Sequence, residues 1–152
     1  MPVQSLIPTL GLLGFIPFAV TTGLALSDRL LFGQDPRMVF ITYSVVILSF
    51  LGGVLWGRTL QRPDDRLGRG LLIASNAVAL MAWGGLLAGS AYFPAALCLL
   101  MAAYGTVWFL EQRFDAALTH QAGKVYLKLR TALTGMVLSA HLLLLLFARA
   151  VG

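Results

Sequence analysis

Charge is what this sequence has least of. Only 11% of its 152 residues are Asp, Glu, Lys or Arg, against 59% hydrophobic. A soluble domain carries about 25% charged residues, because its surface has to meet water. A chain this poor in charge cannot cover itself, so its solvent is largely lipid. Cysteine is scarcer still. Cys98 stands alone inside an apolar stretch, which excludes disulfide frameworks and cysteine metal clusters by count. Histidine occurs twice, as His120 in a basic linker and His141 in mid-span, so both cannot ligate one haem iron within a chain. The apolar runs hold no Asp or Glu, which weakens a proton-coupled transporter reading. No Gly-x-Ser-x-Gly, phosphate loop, metal spacing or paired intramembrane carboxylate occurs. No catalytic residue, cofactor or metal site is predicted, and the chain is expected not to be an enzyme.

What is present is five apolar segments, at about 6–26, 38–57, 71–88, 95–110 and 131–147. Each approaches the ~20 residues that cross a ~30 Å hydrocarbon core, and in lipid they must be helices to pair their own backbone groups. The expected fold is an all-α integral membrane protein, a single domain forming a five-helix transmembrane bundle. Asp35-Pro36 supplies a cap and a first-turn proline for segment two, and Asp64 or Asp65 caps segment three. "GSAYFP", residues 89–94, reads as a tight hairpin, since one helix across both flanking segments would be about 60 Å long. Segment one lacks a basic leader and a small-residue cleavage site, so it reads as a span. Pro8 and Pro17 are expected to kink or shorten it, leaving carbonyls for neighbouring helices to satisfy.

The net charge of +5 comes from nine Arg and two Lys against six acids. These basic residues flank apolar runs, which favours topology and anionic headgroups over nucleic acid. Arg58, Arg62, Arg66 and Arg69 follow segment two; Arg113, Lys124, Lys128 and Arg130 follow segment four. Only Arg29, Arg37 and Arg149 lie on the other side. The positive-inside rule therefore puts the N-terminus and loops 58–70 and 111–130 in the cytoplasm and the C-terminus outside, although segment one alone is biased the opposite way. The preference for Arg over Lys, with abundant Leu, Ala and Gly, suggests a GC-rich bacterial genome. Loop 111–130 reads as an interfacial amphipathic stretch broken near Gly123. "DDRLGRG", residues 64–70, resembles part of a major-facilitator loop signature. Gln61 and the small number of helices argue for a plain capping and headgroup loop instead.

Ser49, Gly53 and Gly57 fall on one helical stripe that Gly52 widens, and small residues there let a second backbone approach. Thr131, Gly135 and Ser139 repeat the pattern, as do Gly85 and Gly89. Packing inside the bundle is the favoured use, and a homo-oligomer or membrane-protein partner the other. Trp56 and Trp108 are expected to anchor at the interface. His141 is either hydrogen-bonded helix glue or functional. Asn76, Tyr104 and Thr106 lie at similar depth, as do Ser49 and Thr134, and make a shared polar layer or a small cavity with Gly52.

"YSVVILSFLGGVLWG" (residues 43–57), Trp83 in mid-span and "YLKLRTALT" (residues 126–134) resemble the transmembrane protein 69 family, whose bacterial members carry domain of unknown function 3429. The resemblance runs over essentially the whole chain. It marks Gly52, Gly53, Trp56, Gly57, Trp83, Asp115, Tyr126 and Arg130. It departs at Leu55, where members often have histidine, and at Lys124-Val125, where many have proline and tryptophan. It implies a small inner-membrane protein of no established activity. The function expected is that of a subunit or assembly protein working through helix contacts. The alternative is a binder of a small lipophilic molecule, a lipid or quinone, near Gly52, Asn76 and His141.

Overall fold

The structure is a computed structural model that describes residues 3–60, 66–115 and 121–151. It contains five helices: α1 (Val3–Leu26), α2 (Pro36–Thr59), α3 (Arg66–Ala91), α4 (Phe93–Asp115) and α5 (Gln121–Val151). All five are long and apolar enough to cross a membrane. Arg62, His120 and the expected caps Asp64 and Asp65 lie outside the described residues.

The helix starts follow from local chemistry. Asp35 caps α2, its carboxylate accepting from the Arg37 N–H at 2.9 Å, and Pro36 occupies the first turn. Tyr92 alone separates α3 from α4, with its N–H on the Ala88 carbonyl and its carbonyl facing Ala96 N. Between α1 and α2, Leu31 and Gln34 exchange two backbone bonds, and Gly33 takes the φ of 79° that the turn requires. Two boundaries differ from expectation. α4 runs on to Asp115 and α5 begins at Gln121, so much of the expected interfacial loop is helix, without a break at Gly123. An amphipathic run next to an apolar one continues the same helix, since nothing in it stops the backbone pattern.

α1 also stays helical through Pro8 and Pro17. Pro17 cannot donate to the Leu13 carbonyl, and the loosened turn is met from outside. The Tyr43 hydroxyl of α2 donates to the next carbonyl, that of Gly14, at 2.8 Å. A neighbouring helix thus hydrogen-bonds a carbonyl of this turn, that of Gly14 rather than the freed one of Leu13.

Each helix packs on its sequence neighbour, α5 returns to α1, and α2 also touches α4. The backbones of α2 and α5 do not meet. α1, α2, α4 and α5 therefore enclose a gap, and what fills it decides the character of the interior.

The glycines sort by face. Gly52 is buried, and an added Cβ would stand 3.3 Å from the Ser75 carbonyl oxygen of α3. Gly85 and Gly89 are buried too; a Cβ there would meet Leu100 at 2.8 Å and Ile41 at 2.7 Å. Gly53 and Gly57 have nothing within 4 Å, and Ser49 is exposed with them. The stripe expected to pack inside the bundle thus points away from it, because Leu48, Leu51, Gly52 and Leu55 make the buried face of α2. Gly135 of α5 is also exposed, with open space about it, beside Thr131 and Ser139.

Adjacent glycines should therefore answer oppositely to size. Gly52→Leu is expected to cost about 1–3 kcal/mol by overpacking against the α3 backbone, while Gly53→Leu leaves stability within about 0.5 kcal/mol. Reversible unfolding of the purified protein in mixed micelles measures both.

Candidate functional site

The gap between α2 and α5 is filled in part by rings. Phe18 from α1, Phe40 from α2, Tyr104 from α4 and His141 from α5 are all buried. His141 has its ring centroid 4.6 Å from Phe40, 5.5 Å from Tyr104 and 6.0 Å from Phe18. Edge-on ring contacts of this kind add to plain burial.

The polar atoms of the cluster are matched to one another. His141 Nδ1 lies 2.8 Å from the Val137 carbonyl, one turn back on α5, so Nδ1 carries the proton. Nε2 is then the acceptor, and the Ser44 hydroxyl of α2 donates to it at 3.0 Å. The Tyr104 hydroxyl donates to the Ser44 carbonyl at 3.1 Å. α2, whose backbone does not meet that of α5, is thereby tied to both α5 and α4 through one serine. With all three donor hydrogens used, the network stabilises one packing arrangement of the helices.

A second polar layer lies towards the end of the bundle where α2 and α4 finish and α5 begins. Glu111 of α4 is fully buried, and the Arg130 Nε of α5 donates to its Oε2 at 2.5 Å. Glu111 Oε1 is buried without a partner among the described residues. Beside this pair, Trp108 Nε1 and Gln112 Nε2 both donate to Thr131 Oγ1, at 3.1 and 2.9 Å. Arg58 lies over the Tyr126 ring, 5.8 Å from its centroid. Trp108 thus serves α5 rather than the interface, whereas Trp56 is exposed at the end of α2, where an anchor is expected.

Between the two layers lies a cleft of about 250 Å³ bordered by α1, α2, α4 and α5. Its walls are apolar, and Arg130 is the one charged side chain that lines it.

Of the expected polar layer, Tyr104 and His141 come together and Asn76 and Thr106 do not. Asn76 is exposed on α3 and donates to the Leu72 carbonyl of its own helix; Thr106 is exposed and returns to Ala102. The cavity expected among Gly52, Asn76 and His141 does not form, because Asn76 turns away from the gap. Arg66 and Arg69 are exposed, as headgroup contacts require, and Trp83 is exposed in mid-helix. Asp115 closes α4. Ser44, Glu111 and Tyr43 were not singled out from the sequence. A signal existed for Glu111, since positions 104 and 111 share a helix face, as do 130, 134, 137 and 141. Among the described residues no group of His, Cys, Asp and Glu could hold a metal ion.

The family described as protein of unknown function (DUF3429) matches residues 3–146, which takes in α1 to α4, most of α5 and both polar layers. The chain belongs to the DUF3429 family. No curated protein and no solved structure matches it. The domain-of-unknown-function half of the resemblance is thus borne out, and the match does not bear on the transmembrane protein 69 name. In this DUF3429 protein two marked positions, Tyr126 and Arg130, sit one turn apart on α5, one under Arg58 and the other paired with the buried acid, and Gly52 makes the α2–α3 approach.

The ion pair carries a further expectation. Glu111→Ala leaves the Arg130 guanidinium without its buried counter-charge and should cost about 3–5 kcal/mol, whereas replacing both by a Met–Leu pair should cost far less. Unfolding in mixed micelles again provides the measurement, and equal losses in the two variants would rule out a coupled pair.

Proposed function

We propose that this DUF3429 protein is a non-enzymatic accessory or subunit protein of a bacterial inner membrane, working through contact with another transmembrane helix. The observation that carries the reading is the outward stripe of α2. Ser49, Gly53 and Gly57 line one exposed face, with open space around both glycines, while the glycines the bundle itself uses lie elsewhere. In lipid there is no hydrophobic effect to bring helices together, so close backbone approach along small residues is a main source of attraction. Glycines are costly in a helix interior, and two that serve no internal contact call for an external one. The closed network around His141 supports a structural rather than catalytic use of that residue. The charge count favours a cytoplasmic N-terminus and an outside C-terminus, with Arg66 and Arg69 on anionic headgroups. The partner is a second copy or a different membrane protein, and nucleic acid is not one.

A second reading, a binder of a small lipophilic molecule, is favoured by the cleft beside Arg130 rather than by the region of Asn76.

A cysteine placed at Gly53, with Cys98 replaced by alanine, should form a cross-linked adduct in native membranes, with itself or with a partner band. Gly57→Leu in the same protein should remove the adduct while the unfolding midpoint stays put. A cysteine there that reacts with maleimide yet never cross-links would overturn the reading.

A further inference from the structure

The cleft has a direction. At its membrane-surface end stands Arg130, and at its deep end the Phe18 and Tyr104 rings close it. From Arg130 to Val137 the α5 wall rises about 10 Å, roughly two-thirds of one ~15 Å leaflet of hydrocarbon. The wall between these ends is apolar, including Leu10, Ile47, Phe50 and Leu133. Leu10 and Phe50 are well exposed, so the space communicates with the lipid-facing surface. Its volume of about 250 Å³ is below that of pockets for drug-sized ligands, which begin near ~300 Å³, and suits one chain rather than two.

The polar end is incomplete without a ligand. Glu111 engages Arg130 only through Nε, and among the described residues Arg130 has no other hydrogen bond. Its two terminal nitrogens, with four N–H donors in a planar fork, are thus left for an oxygen-rich partner.

We propose that this cleft binds one single-chain amphiphile, its chain between α1, α2 and α5 and its oxyacid head, a carboxyl or phosphate monoester, on the open fork of Arg130. The head oxygens accept from the fork in the bidentate manner that guanidinium favours. The chain points to mid-bilayer and the head to the membrane surface, the orientation the molecule already has in a leaflet. The site does not depend on the outward stripe of α2, so its failure and that of the proposed helix contact are separate results.

The test is photolabelling of the full-length protein in nanodiscs of neutral lipid. Three probes carry the same diazirine-bearing chain: a fatty acid, a lysophosphatidate and a neutral monoacylglycerol. At least one acidic probe should form adducts mapped to residues 10–18 or 133–137, at ten-fold or more the yield of the neutral one, and which acid labels identifies the source. Arg130→Lys, which keeps the charge and loses the fork, should reduce that labelling ten-fold or more. Leu133→Trp fills the cleft without touching the ion pair and should abolish it, so the proposal stays testable if the lysine variant unfolds. Equal labelling by the neutral probe, adducts confined to other lipid-facing positions, or labelling unchanged by Leu133→Trp would each overturn the proposal.

Discussion

The structure turns on a gap. The backbones of α2 and α5 never meet, so the four helices around them enclose a space that must be filled from side chains. Rings from all four helices fill part of it, and the hydrogen bonds of Ser44 with His141 and Tyr104 fix which rings they are. Ring packing alone would tolerate rotation or sliding of a helix. The directional bonds do not, because each polar atom in lipid has no water to fall back on. Towards the other end stand the Glu111–Arg130 pair and its neighbours, and a cleft is left between.

Much of this architecture was legible in the sequence because lipid as a solvent imposes simple rules. Segment length, the Asp35-Pro36 start and the tight turn at Tyr92 each follow from a local cost that no tertiary contact needs to reverse. The ends of α4 and α5 were less legible. Charged residues there read as loop, although a helix that leaves the bilayer can carry charge without ending. The same shortcut hid Glu111. It was counted with the loop, and in the structure it is buried in a helix opposite Arg130.

Rotation about each helix axis was the other limit. Small residues at helical spacing signal close approach but not to which neighbour, and Gly52 and Gly53 face opposite ways one residue apart. Asn76 and Thr106 share their depth with His141 but point outward, where their side chains settle on carbonyls of their own helices. Depth is readable from spacing; azimuth depends on partners up to four helices apart in the chain. His141 was visible as an isolated mid-span ionisable group, yet its meaning rests on Ser44, a residue that looks unremarkable in an apolar run.

That dependence is also where the account is most exposed. A double-mutant cycle of Ser44→Ala and His141→Phe, read as unfolding free energy in mixed micelles, isolates the tie across the gap from the packing around it. The account predicts a coupling of about 0.6–1.7 kcal/mol, the range of interhelical hydrogen bonds in membranes. Additive effects of the two substitutions, with no coupling, would contradict it.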